Sequence, residues 1–341
     1  MIAGRNMTTM PETAGVTRAD TRPLHILIQV GVDLSEPLLA RIRDAAGPDA
    51  VVRVLPEADT SPERLVGVEV ALGHFPLDLV TAARSLRWIQ SPSAGVESYL
   101  SETMQQSGII LTNGRGVYGV AGAEHVLGEM LIFTRRLQEM LAAQRERRWE
   151  QATYQTIPTL QGQTLGVVGL GGIGSQIALR GKAFGMTVLA VRRHPGEPPA
   201  SVDHLFGLEG LDDLLAASDH VVLALPLTPE TRNLIDAARL ARLRPTAYLY
   251  NVGRGAVVDE AALIVALQAG RFAGAALDVF VEEPLPADSP LWSLPNVILT
   301  PHVAANGPSD WTTVVSLFAD NLRRYRAGQP LQNIVDFALG Y

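Results

Sequence analysis

The sequence contains no cysteine in 341 residues, which excludes disulfides, thiolate nucleophiles and cysteine-ligated metals. An excess of basic charge is also missing. Against 35 Asp and Glu stand 28 Lys and Arg, a formal charge of −7, so neither nucleic acid nor an anionic membrane has an electrostatic reason to bind. Nothing reads as a membrane span, because the longest uncharged stretches are interrupted by Gly, Gln, Thr and Pro. Residues 1–21 lack the apolar segment of a secretion signal and read as a flexible N-terminal tail, with Met7 and Met10 as alternative starts. These absences together fit a cytoplasmic location.

What is present is ample core material, 47% apolar against 18% charged residues, in a chain long enough for two domains. Short β-rich runs at 25–30 (HILIQV), 51–55, 70–72, 87–90 and 109–112 alternate with helical or Pro-rich stretches and predict a first α/β layer. A single long helix is expected over 121–149. Six further strand candidates follow, at 165–168, 187–191, 220–225, 247–251, 274–277 and 297–299. With the helical segments between them they match a doubly wound parallel sheet. An amphipathic helix is expected over 309–326.

Behind the first of these six strands comes Gly169-Leu170-Gly171-Gly172-Ile173-Gly174. A strand, a tight glycine turn and a helix start place backbone amides and a helix N-terminus against a pyrophosphate. About 20 residues further on, a dinucleotide fold that binds NAD presents a carboxylate to the ribose. Here Arg192 and Arg193 stand instead, with His194 behind them. Guanidinium groups there favour a 2′-phosphate, so the expected cofactor is NADP(H), with NAD(H) as the possible substitute.

Three more fragments follow strand candidates: Asn251-Val252-Gly253-Arg254-Gly255, the run from Asp278 to Glu283 and Pro284, and Thr300-Pro301-His302-Val303-Ala304. With PLTPETRNLI at 226–235 and LWSLPNV at 291–297, this ordered set resembles the D-isomer-specific 2-hydroxyacid dehydrogenase family. The resemblance implies two Rossmann-like or flavodoxin-like domains. The dinucleotide-binding domain, over 119–305, is inserted into a discontinuous substrate domain over 22–118 and 306–341, with catalysis in the cleft between them.

By the same resemblance Arg254, Glu283 and His302 match the family's catalytic residues. Gly172 and Ile173 match its pyrophosphate contacts, and Leu225, Pro226, Val252 and Gly253 lie on its cofactor-lining segments. Asp278 matches the residue that holds the nicotinamide carboxamide. The loop Ser93-Ala94-Gly95-Val96-Glu97 resembles the one whose amides receive the substrate carboxylate, with Glu97 where the family usually has Asp. His74, after a first-domain strand, is a further candidate for the substrate. The pair Glu124-His125 reads as packing or an interdomain contact. No metal spacing is present among the histidines.

Chemistry supports those roles. A 2-oxoacid is an anion that needs a fixed cation, which Arg254 offers as a planar fork. Reduction builds negative charge on the carbonyl oxygen, which His302 can quench with a proton while Glu283 orients its ring. The expected activity is reduction of a small 2-oxoacid such as glyoxylate or hydroxypyruvate, in a homodimer. The alternatives are an NAD-linked enzyme of the phosphoglycerate dehydrogenase type, or a non-catalytic, dinucleotide-sensing protein like the corepressors that share the fold. A methyltransferase shares the glycine turn but leaves Arg254, Glu283 and His302 unexplained.

Overall fold

A computed structural model describes residues 22–149, 151, 156–307 and 310–340. The tail expected over 1–21 lies outside the described residues. The chain divides into two compact units. One runs to Gly114 and includes Trp311–Phe337; the other holds Arg115–Asp310 and the last residues from Ala338. The seams between these units sit at 114/115 and 310/311, and residues after Phe337 group with the second unit. Among the described residues no helix is long and apolar enough to cross a membrane.

In the first unit, β1 (Leu24–Gln29), β2 (Ala50–Val54), β3 (Val70–Gly73), β4 (Trp88–Gln90) and β5 (Ile110–Thr112) form a parallel sheet in the order β2-β1-β3-β4-β5. This is the flavodoxin-like doubly wound order, in which the crevice lies beyond the C-terminal strand ends. The helix Asp310–Arg326 covers this sheet. Its Val314, Val315, Phe318, Ala319, Leu322 and Tyr325 are buried on one stripe, and Phe318 and Tyr325 lie against the ring of Trp88. The core of the first unit is thus completed by a segment from the far end of the sequence.

The second unit carries β6 (Thr164–Val168), β7 (Thr187–Val191), β8 (His204–Phe206), β9 (His220–Leu223), β10 (Tyr248–Asn251), β11 (Gly274–Leu277) and β12 (Val297–Leu299). All pair in parallel, in the order β12-β11-β10-β9-β6-β7-β8. Winding reverses between β6 and β9, so a crevice opens at their C-terminal ends. Seven strands replace the expected six. The extra one, β8, is a three-residue edge strand with His204 exposed, too short to carry a periodic signal.

The expected helix over 121–149 is two helices, Gly119–Thr134 and Leu137–Arg145. Arg136 separates them in the left-handed conformation (φ 54°, ψ 37°), and neither Gly nor Pro announces the break. The first of these helices packs against Gly172–Ala183 through glycine. A Cβ on Gly119 would stand 2.8 Å from the Gly172 carbonyl oxygen, and one on Gly122 would stand 3.1 Å from Ile173 Cγ2.

Candidate active site

The glycine turn is built by exclusion. Gly169 has φ +99°, and a Cβ there would meet the Ala224 carbonyl oxygen at 2.6 Å. A Cβ on Gly174 would fall on the Gly169 carbonyl, so the helix can start this close to its strand only without side chains. Gly171 is different: nothing stands within 4 Å of where its Cβ would point. The helix begins at Gly172, and its first amides, those of Gly172, Ile173 and Gly174, are the donors that a helix leaves unsatisfied. Open approach at Gly171 and free amides beyond it form a cradle that fits a pyrophosphate.

Beyond β7, Arg192 donates its backbone N–H to Phe206 O at 3.1 Å. Its side-chain Nε is buried and has no hydrogen-bond partner among the described residues, an unmet donor that an anion would satisfy. Arg193 Nη2 lies 3.4 Å from Glu230 Oε2. The Thr228 hydroxyl, before the Arg193 charge, holds the Glu230 carboxyl below its ordinary range. After β9, Leu225 and Pro226 are half-buried. Pro226 O accepts from Thr231 Oγ1 at 2.8 Å, which ties the loop down.

Three loops at the ends of β10, β11 and β12 carry the remaining candidates. Asn251 closes the first: its Oδ1 accepts from Gly253 N–H at 3.1 Å and its Nδ2 donates to Arg254 O at 3.0 Å. Val252 is nearly buried, and Gly253 packs on Leu225, whose carbonyl oxygen would lie 2.6 Å from a Cβ. A Cβ on Gly255 would overlap the Phe280 backbone. The loop presenting Arg254 therefore abuts the one presenting Glu283. Arg254 Nη1 donates to Gly253 O at 2.8 Å.

Asp278, buried at 2% exposure, braces the third loop. Its Oδ1 accepts from Thr300 Oγ1 at 2.6 Å and Val303 N–H at 2.8 Å, and its Oδ2 from Ala304 N–H at 2.9 Å. Its carbonyl accepts from His302 N–H at 2.8 Å. His302 itself is left-handed (φ 54°), a conformation uncommon outside glycine that needs such support. Its Nδ1 lies 2.6 Å from Glu283 Oε2, and Glu283 Oε1 accepts from Phe280 N–H at 2.9 Å. A carboxylate only accepts, so Nδ1 carries a proton and Nε2 is left for other chemistry.

In the first unit, the loop after β4 is pinned by Asn113 Nδ2, which donates to Ala94 O at 2.8 Å, and by Gly114 N–H, which donates to Ser93 O at 2.8 Å. The amides of Ala94 and Gly95 have no acceptor among the described residues, as a carboxylate-binding turn requires. His74 Nε2 lies 2.9 Å from Ser93 Oγ. Partial desolvation lowers its pKa, opposed by the charge of Glu57.

Within the second unit the structure brings Glu283 and His302 into contact and sets Arg254 on an adjoining loop. His74, Ala94 and Gly95 belong to the first unit. Asn251, Thr300 and Glu230 emerge as supporting residues. Each stands inside a motif quoted from the sequence, yet the motif alone gives no sign that its side chain clamps a loop.

A family profile described as D-isomer specific 2-hydroxyacid dehydrogenase, NAD binding domain, matches residues 127–304. A glyoxylate reductase from Korarchaeum cryptofilum is 36% identical over 275 residues, 78% of this chain and 82% of the relative. A D-3-phosphoglycerate dehydrogenase from Methanocaldococcus jannaschii is 35% identical over 262 residues, 76% of this chain; the match covers about half of that longer protein, 49%. A D-isomer specific 2-hydroxyacid dehydrogenase from Xanthobacter autotrophicus, solved in complex with NADPH and MES, superposes with a TM-score of 0.80 at 35% identity, covering 94% of this chain and 100% of that one.

Proposed function

We propose a function on one premise: the chain belongs to the D-isomer specific 2-hydroxyacid dehydrogenase family. The reading is an NADP(H)-dependent reductase of a small 2-oxoacid, such as glyoxylate or hydroxypyruvate, that yields the D-2-hydroxyacid. The observation that carries it is the Glu283–His302 pair at 2.6 Å, with Arg254 on the adjoining loop of the unit that holds the glycine cradle.

The Gly171–Gly174 turn would hold the pyrophosphate, with Leu225, Pro226, Val252 and Gly253 lining the dinucleotide. Asp278 has one acceptor position left on Oδ2 for a carboxamide N–H. Arg192 and Arg193 would take a 2′-phosphate, supported by the unsatisfied Nε of Arg192. A reduced nicotinamide bound there supplies a hydride to the substrate carbonyl carbon. His302 Nε2 would give the carbonyl oxygen its proton, and Glu283, held against Nδ1, would keep the ring aimed. Arg254 would hold the substrate anion; the Ala94 and Gly95 amides are the first unit's candidates for a carboxylate. His74 is the first unit's further candidate for the substrate.

The finer assignments are a homodimer in the cytoplasm. Supporting the first is the half-exposed apolar surface of Leu137 and Leu141 on the helix Leu137–Arg145, together with the family premise. Size-exclusion chromatography with light scattering at working concentration checks it, and a monomer rejects it.

A second reading, an NAD-linked enzyme acting in the direction of a phosphoglycerate dehydrogenase, is favoured by the Methanocaldococcus match. One panel separates the two: glyoxylate, hydroxypyruvate, pyruvate and phosphohydroxypyruvate, each with NADPH and NADH. Highest kcat/KM with NADPH and an unphosphorylated acid supports the first reading; preference for NADH and the phosphorylated acid supports the second.

A further inference from the structure

The helix Gly119–Thr134 buries a carboxylate with no obvious use. Glu129 is 4% exposed, and its Oε2 has no hydrogen-bond partner. One turn earlier, His125 Nε2 lies 3.1 Å from Glu129 Oε1 and 3.2 Å from Thr300 Oγ1. Thr300 in turn donates to Asp278 Oδ1 at 2.6 Å. Asp278 is the residue that holds the amides of His302, Val303 and Ala304. A continuous line of polar contacts thus runs from a core helix to the left-handed turn at His302.

Hydroxyl bookkeeping fixes the direction of this line. Thr300 has one proton, and it goes to Asp278, so toward His125 its oxygen can only accept. The ring must therefore carry a proton on Nε2. Glu129 Oε1 makes the same demand on the same nitrogen. Its bond to His125 raises the imidazole pKa, and burial raises that of Glu129. The other charged groups are accounted for: Asp278 faces both members of the pair. Tyr250, whose phenol senses the Glu129 charge, is kept neutral by burial. Glu124 turns toward Arg180 at 3.8 Å. An apolar side chain at 125 or 129 would pack in this helix at lower desolvation cost, so packing does not account for the pair.

We propose that His125 and Glu129 are positioning residues for His302: they lock the Thr300 hydroxyl onto Asp278, and Asp278 holds the turn that aims the His302 ring. The inference rests on the function proposed above. Without the donor at His125, the Thr300 hydroxyl is held from the Asp278 side alone, its orientation is less fixed, and the strained turn loses part of its support. A small error in aim is costly for proton transfer while leaving dinucleotide binding largely intact.

The test uses the full chain with His125→Leu, His125→Gln, Thr300→Val and the His125→Leu/Thr300→Val double variant. Leu removes the donor, Gln restores an N–H at similar reach, and Val keeps the shape of Thr without its hydroxyl. Each is assayed for kcat and for KM of NADPH with the best 2-oxoacid of the wild type. In parallel, long-range 1H–15N NMR of the free protein reads the tautomers of His125 and His302 directly. The expected result is a fall of about tenfold or more in kcat for His125→Leu and Thr300→Val, with KM for NADPH within about threefold, and a double variant no worse than either single. His125→Gln recovers most of the loss. His125 is protonated on Nε2 in the free protein, and His302 loses its fixed Nδ1–H signal in the Leu and Val variants. Folded Leu or Val variants with kcat within about twofold of wild type and an unchanged His302 signal overturn the proposal. So does a loss that Gln fails to rescue and Thr300→Val fails to reproduce. If the wild type reduces no 2-oxoacid, the proposed function fails, and the NMR comparison still decides the positioning role.

Discussion

Nδ1 of His302 lies 2.6 Å from Oε2 of Glu283. The carboxylate is not free to follow the ring, because its other oxygen is held by Phe280 N–H at 2.9 Å. The proton on Nδ1 is thereby fixed, and Nε2 becomes the position from which a proton can be given. His302→Asn is expected to lower kcat by about 10²–10⁴-fold, with NADPH affinity, read by fluorescence titration, nearly unchanged. Glu283→Gln keeps the shape but removes the charge, and a smaller loss of about 10–100-fold is expected, again in kcat.

Two glycines of one turn should behave in opposite ways. Gly174→Ala drives a methyl into the Gly169 carbonyl and should destabilise the fold by about 1–3 kcal/mol, visible as a lowered urea midpoint. Gly171→Ala meets nothing in the protein, so its urea midpoint should match wild type. Its Kd for NADPH should rise about tenfold or more, because the new methyl occupies the space of approach. Equal stability losses in both variants would show that the open face at Gly171 is not a ligand face.

Arg192 and Arg193 stand where a ribose-binding carboxylate would otherwise follow β7. Replacing both with Ser is expected to lower the ratio of kcat/KM for NADPH over NADH by about 10–100-fold, the loss of one or two charge-assisted phosphate contacts. Most of the effect should be in KM. An unchanged ratio would remove these residues from cofactor choice.

His220 gives a prediction about stability rather than catalysis. It is buried, with Nδ1 2.9 Å from Tyr250 Oη and Nε2 2.6 Å from Gln163 Oε1, and burial lowers its pKa from 6.5 to about 4. Above pH 6.5 the ring is neutral in both folded and unfolded chains, and its full contribution is present. As pH falls from 6.5 toward about 4, the unfolded chain binds a proton that the folded chain refuses, so stability declines. The loss from this group amounts to about 3 kcal/mol across the window. His220→Phe should flatten that part of the pH dependence while lowering stability near neutral pH, as measured by urea unfolding at a series of pH values.

Much of this arrangement was legible in the sequence because it rests on local rules. Alternating apolar runs and glycine turns predict doubly wound parallel sheets, and both sheets have that form. Arg254, Glu283 and His302 could each be placed behind a strand, though the first and the last lie 48 positions apart, and only the parallel order β10-β11-β12 makes their loops neighbours. What escaped has physical reasons. The helix break at Arg136 has no Gly or Pro to mark it, and β8 is too short for periodicity. The His125–Thr300 contact joins groups 175 positions apart, and no spacing rule along the chain connects them. His125 therefore reads as a packing residue until Thr300 is found beside it.

The proposed reduction is stereospecific, so the configuration of its product decides it. Wild-type protein is incubated with hydroxypyruvate and NADPH, and the product is resolved by chiral chromatography while NADPH oxidation is followed. D-glycerate formed in equimolar amount to the NADPH consumed is the predicted result. L-glycerate, a racemate, or no glycerate while NADPH is bound would contradict the account.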